Sequence, residues 1–279
     1  MSDKISIYQI YYKPEQRVQV DPAFIAYDNT SNTDPQLREY PIFLQGYDVA
    51  CKNKDDYWGF LSLKFSQKTG VTGEKFKQFI ERNPGYDCYF INPCVVMDTL
   101  FENVWTHGEM WHPGLTNLTN SIFEKSVGYN TLKVDRYKMD YNSFAFCNYF
   151  VGNKYFWDTY LAFIKAFLNA AETDPQLKQK LYGGNAQYNL DHSLSFYPFI
   201  IERLFSTFLC HYDFMTVCPY KYSYEEQSHK MQEIVFKELE AIRNVKWSAV
   251  SGGHYSLFSS WQLLSQLFHA RNPQLFLTE

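Results

Sequence analysis

Apolar and aromatic residues fill positions 5–12, Ile-Ser-Ile-Tyr-Gln-Ile-Tyr-Tyr, and Pro14 closes the run, which predicts a buried first strand. Residues 24–27 predict a second short strand that runs into Asp28-Asn29-Thr30-Ser31-Asn32, a loop of turn formers. A helix is predicted from about Tyr40, because Pro41 suits a first helical turn and not an interior. Residues 57–65 predict a third strand, apolar until Ser62 and Lys64. Thr72 then stands ready to cap a helix carrying Phe76, Phe79 and Ile80 on one face, stopped by Asn83-Pro84-Gly85. Residues 87–91 predict a further strand that ends at Asn92-Pro93. Strands alternating with helices in this way predict an α/β sheet of mostly parallel strands.

From Glu102 to Asn130 no clear period appears, and an irregular segment forming the wall or lid of a site is expected. Residues 144–151 predict a strand or strand-like turn. After Asn153, the residues Phe156, Tyr160, Phe163, Ile164, Phe167 and Leu168 recur at helical spacing, and a second core helix is predicted from Pro198. Beyond residue 220 the pattern becomes purely helical. Met231, Ile234, Val235, Leu239 and Ile242 form one stripe, Ser251-Gly252-Gly253 breaks the chain, and a last helix covers 256–270. The expected organisation is a core over 1–220 with a helical extension over 221–279 packed on it.

Composition narrows the function. Twenty-six basic and 30 acidic side chains give a net charge of -4, with no basic excess to hold a nucleic-acid duplex. The chain has 24 Phe, 23 Tyr and 6 Trp. Tyr and Trp stack on sugars and bases while offering a polar tip, although core filling accounts for the larger part of this content. The 6 cysteines show neither a CxxC pair nor zinc spacing, and several lie in apolar runs, as buried free thiols do. The first residues lack the pattern of a secretion signal, and no apolar stretch is long enough to span a bilayer. A cytoplasmic protein is expected, with peripheral membrane association or homo-oligomerisation left open.

In open α/β sheets ligands bind at the carboxyl ends of strands. Four polar clusters occur where apolar runs end: Asp28-Asn29, Ser62-Lys64, Asn92 and Cys147-Asn148. Each alone reads as a loop satisfying its own backbone; together they predict a common rim. Elsewhere, His107, Glu109, Trp111 and His112 cluster in the irregular middle. Glu109, Trp111 and His112 would suit an acceptor-sugar platform, and His107, Glu109 and His112 a metal-dependent hydrolase, but their spacing matches no zinc motif, and a plain surface loop also fits.

The order of these pieces resembles the bacterial glycosyltransferase-like domain of capsule and exopolysaccharide gene clusters. The resemblance covers about residues 5–210. It rests on Asp28-Asn29 followed by Arg38-Glu39-Tyr40, on Asp56-Tyr57-Trp58-Gly59-Phe60-Leu61, on Tyr86-Asp87, on Asn148-Tyr149-Phe150-Val151 and on Glu202-Arg203-Leu204-Phe205. It implies a GT-A-like (Rossmann-like) fold: a mixed, mostly parallel sheet flanked by helices. It also implies transfer of a sugar from a nucleotide-sugar donor to a glycan or lipid-linked acceptor at the inner face of a membrane.

One departure is informative. The family's His-Tyr-Arg-Arg stretch is replaced by Ser62-Leu63-Lys64-Phe65, and no Asp-x-Asp follows this strand. The leaving diphosphate would then meet Lys64, with Lys68 nearby, as point charges, so no cofactor is required, while Mn2+ or Mg2+ with the donor stays open. Tyr11, Asp28, Asn29, Lys64, Asn92, Asn148 and Arg203 are the expected donor-binding residues. Asp191 or Glu202 would be the base that takes the acceptor proton. Glu202, beside Arg203, equally suits a buried ion pair. A non-catalytic nucleotide- or glycan-binding protein of the same fold is the alternative to an enzyme.

Overall fold

The computed structural model describes residues 4–184, 186–189 and 192–276. The chain begins with β1 (Ile5–Tyr11), β2 (Ile25–Asp28), α1 (Tyr40–Asn53), β3 (Tyr57–Ser62), α2 (Phe65–Thr69), α3 (Gly73–Arg82) and β4 (Cys88–Phe90). Three short helices follow, α4 (Val95–Leu100), α5 (Val104–Trp111) and α6 (Leu115–Phe123), then β5 (Phe150–Asn153), α7 (Lys154–Glu172) and α8 (Pro175–Gly183). A small ribbon of β6 (Ala186–Asn189) and β7 (His192–Leu194) leads into α9 (Tyr197–His211) and β8 (Val217–Pro219). The chain continues through α10 (Tyr224–Gln227), α11 (Glu233–Val250) and α12 (Phe258–Arg271).

Six strands form the main sheet in the order β2-β1-β3-β5-β4-β8. All pairings are parallel except those of β5, which runs against both β3 and β4. The fold is therefore α/β with a mixed, mostly parallel sheet flanked by helices. β1 is buried on both faces, as a strand between helical layers must be. Tyr8, Ile10, Phe60 and Phe150 pack with Phe43 of α1, Trp157 of α7 and Phe205 of α9 on one side. Ile7, Leu61, Tyr89 and Val151 pack with Phe65 of α2 and Phe76 and Ile80 of α3 on the other. Aromatic residues fill this interior in contact pairs: Phe150 stacks on Phe205 at 4.3 Å, and Trp58 lies parallel to Trp157 at 6.2 Å. At Gly59 a Cβ would stand 2.2 Å from the Phe150 carbonyl oxygen, so only glycine lets β5 enter here.

Two expectations are corrected. The segment 102–130 is helical: Asn103 caps α5 by accepting from the Trp105 and Thr106 amides. His112-Pro113-Gly114 then breaks the chain before α6, and helices this short show too few turns for a period to emerge. Of the strand or strand-like turn predicted over 144–151, the strand begins only at Phe150, because Cys147 and Asn148 form a turn in left-handed backbone, φ 69° and 53°.

The C-terminal helices cover α4. Val95 packs with Met231, Phe236, Leu239 and Ile242 of this region and with Trp261 and Phe268 of α12. Lys246 donates its ammonium to the Asp98 and Phe101 carbonyl oxygens, both at 2.6 Å, and Trp261 Nε1 donates to the Thr99 carbonyl at 2.7 Å. Among the described residues no helix is long and apolar enough to cross a membrane.

Candidate functional site

β2 lies on one side of β1 and β3 on the other, so the chain reverses its direction of travel across the sheet at β1. Such a reversal parts the loops at the carboxyl ends of the two strands and opens a crevice there. A cavity of about 410 Å³ occupies this place. Ile10 of β1 and Tyr12 just after it, Ser62 at the end of β3 with Leu63 and Lys64 after it, and Lys68 on α2 form part of its wall. Arg38 and Glu39 at the entry to α1, Cys147, Asn148 and Tyr149 before β5, and Phe199 and Glu202 on α9 also line it. β5 runs antiparallel, so its amino end meets the carboxyl ends of its neighbours, and this brings residues 147–149 to the rim.

Strain concentrates here. Arg38, Cys147 and Asn148 line the cavity, and they are three of the four non-glycine residues with left-handed backbone among the described residues. Each costs about 1 kcal/mol or more and persists only where neighbours hold it. The Cys147 amide donates to Glu202 Oε1 at 2.8 Å, which pins the turn to α9. Asn148 is 4% exposed, yet its Oδ1 has no hydrogen-bond partner. A buried acceptor left this way at a cavity wall costs about 1–3 kcal/mol.

The cavity mixes charge. Lys68 Nζ lies 3.2 Å from Cys147 Sγ. Desolvation pulls the Lys68 ammonium down, but Cys147, Tyr149 and Glu202 outweigh it and leave its pKa above that of an ordinary lysine, so it stays charged at neutral pH. Burial, with Glu202 adding to it, pushes the Cys147 thiol up to about 12. Burial and then the nearby Glu202 charge raise Glu39 above the usual carboxylate range. Burial, followed by Glu39, pushes Tyr12 up to about 12. Ser62 Oγ and the Tyr149 hydroxyl share a hydrogen bond of 2.8 Å. The arrangement offers fixed cations beside two carboxylates, Glu39 and Glu202.

Of the expected donor-binding residues, Lys64 and Asn148 meet in this cavity, together with Glu202. Tyr11, Asp28 and Asn29 stand at the ends of β1 and β2 but are not part of its lining. Asp28 accepts from the Thr30 amide and hydroxyl at 2.9 and 2.8 Å; these bonds and one from Tyr11 hold its carboxyl below the usual range. Asn29 is buried, and its Nδ2 lacks a partner. Asn92 accepts the Cys94 amide and faces a different cavity. Arg203 is buried beneath the site, where Nε donates to the Val104 carbonyl and Nη1 to that of Phe199, tying α9 to α5. Asp191 lies outside the described residues.

The cluster on α5 separates. Glu109 caps α6 by accepting the Gly114 and Thr116 amides at 2.6 and 2.9 Å. His112 is buried and stacks on Phe199 at 3.8 Å, His107 is buried edge-on to Phe101, and Trp111 is exposed. Among the described residues no group of three or more His, Cys, Asp or Glu is placed to hold a metal ion. Arg38, Glu39 and Tyr12 were not among the expected site residues, although Arg38-Glu39-Tyr40 forms part of the resemblance and stands as a basic–acidic pair directly before the predicted helix start. Compared with known proteins, the chain matches no family model, no curated protein and no solved structure.

Proposed function

We propose that this chain is a glycosyltransferase with a GT-A-like core, moving a sugar from a nucleoside-diphosphate donor to a glycan or lipid-linked acceptor at the cytoplasmic face of a membrane, in surface polysaccharide biosynthesis. One observation carries the reading: Lys64 and Lys68 at α2, Asn148 before β5 and Glu202 on α9, from three separate segments, converge on one cavity where the strand order reverses. Lys64, Lys68 and Arg38 supply positive charge for the diphosphate as it leaves. Asn148, unpartnered at the wall, is suited to a sugar hydroxyl.

In an inverting transfer the acceptor oxygen bonds to the anomeric carbon while the bond from that carbon to the diphosphate breaks. The acceptor's proton passes to a carboxylate and the electron pair leaves with the diphosphate. Glu202 is the base in this scheme. Its Oε1 accepts the Cys147 amide, and its Oε2, 4.0 Å from Arg203 Nη1, is the oxygen that takes the proton. Glu39, raised in pKa by burial and the Glu202 charge, lines the same cavity nearby.

Thermal shift with UDP, GDP and CMP, each with and without Mn2+, tests the reading, since a ligand bound only by the native state raises Tm. At least one nucleotide is expected to raise Tm, and Lys68→Met to reduce that rise. Donor hydrolysis is expected to fall about 10²–10⁴-fold in Glu202→Gln, with the nucleotide-induced rise kept. No response to any nucleotide rejects the transferase; binding without turnover leaves a binding protein.

A further inference from the structure

A second cavity, of about 150 Å³, lies between the carboxyl ends of β4 and β8 and the flank of α11 that carries Glu240, Arg243, Asn244 and Trp247. Its aromatic walls are built in contact pairs: Tyr141 meets Trp247 at 5.6 Å, and Tyr220 meets Tyr222 at 5.4 Å. The lining also carries planar polar groups, namely Asn92 after β4 and Glu240 and Asn244 on α11. Beneath them, Asp98 holds Arg243 Nη2 at 3.4 Å. Two of the lining residues carry buried polar atoms without a hydrogen-bond partner, the Tyr222 hydroxyl and Arg243 Nε. A helix that merely packed on the core would fill this space with apolar side chains, as α11 and α12 do around Val95.

Aromatic faces alternating with side-chain amides and carboxylates match a ligand that has C–H faces and a rim of hydroxyls. A cavity of this volume admits a single six-membered ring. We propose that it binds one saccharide ring, the terminal sugar of the acceptor. The binding itself stands on this cavity; only the role of acceptor rests on the transferase reading.

The two cavities neighbour each other along one sheet edge. Only β5 separates β3 from β4, so the carboxyl ends of these two strands, one at each cavity, lie roughly 10 Å apart. Lys230 joins them, donating to the Pro93 carbonyl at 3.1 Å beside Asn92 and to the Lys68 carbonyl beside the larger cavity. A glycan seated at Trp247 therefore extends along the rim toward the donor cavity.

Saturation-transfer NMR on the full chain, with a panel of methyl hexosides and N-acetylhexosaminides, provides the test. Transfer to at least one sugar is expected, and a tenfold or greater weakening in Trp247→Ala or Asn244→Ala, two exposed positions whose substitution leaves the core intact. The nucleotide-induced rise in Tm is expected to persist in both variants. No transfer from any sugar, transfer equally strong in both variants, or Trp247-dependent transfer to nucleosides alone overturns the proposal. Sugar binding without any response to nucleotides keeps the saccharide site and rejects the transferase.

Discussion

Asn148 combines two costs at a single position: left-handed backbone and a buried acceptor with no partner. Neither improves packing, and both are expected where binding, not stability, decides the residue. Asn148→Gly removes both, so Tm is expected to rise by an amount equivalent to about 0.5–2 kcal/mol while nucleotide or donor binding weakens. A fall in Tm would place the side chain among the stabilising contacts. Cys147 is next to it and behaves differently from an exposed thiol. With its pKa near 12, it holds almost no thiolate at pH 8. Under a disulfide reagent, peptide mass spectrometry is expected to find exposed Cys51 modified well before Cys147.

At the scale of elements, α11 is held to α4 by a fully buried ammonium. Burial pulls Lys246 down to about 8, with Asp98, Asp140 and Glu102 opposing the shift and Arg243 reinforcing it. The rings of Phe144 and Trp261 face it at 5.0 and 5.3 Å. Between pH 8 and the ordinary lysine range near 10.5, the unfolded chain keeps a proton that the folded chain has released, so this group's contribution to stability rises with pH. Below pH 8 both states are protonated and the contribution is constant. The Tm of wild type relative to Lys246→Met is therefore expected to increase from pH 7.5 to 10; a constant difference would mean that the lysine keeps its charge. Long helices such as α7 and α9 were legible because several turns of aromatic residues repeat on one face. α4, α5 and α6 were not, since each has only two or three turns, and Glu109, which caps α6, also read as a site residue. Glu109 is the instructive case, because a carboxylate suited to a sugar hydroxyl serves equally well to receive two helix amides.

For the whole molecule, the alternation of strands and helices made the class of sheet legible, and the polar strand ends predicted a rim. Lys64 and Asn148 met there; Asp28, Asn29 and Asn92 did not share their cavity, because which strand ends adjoin depends on strand order. That order follows from long-range pairing, which local patterns do not encode. Glu39 was hidden for the same reason, since only the folded chain brings it opposite Glu202.

The position of β5 has a consequence for how the molecule comes to exist. Among the described residues it is the only link in the hydrogen-bonded ladder between the β2-β1-β3 group and the β4-β8 pair, yet it is made after most of them. A polypeptide halted before residue 150 holds two unjoined pieces with bare hydrophobic borders. Splitting the gene near residue 128, in the exposed turn after α6, is expected to yield an insoluble N-terminal half that is rescued only by co-expression with the remainder. On the ribosome, the same layout requires the first half to wait for its keystone.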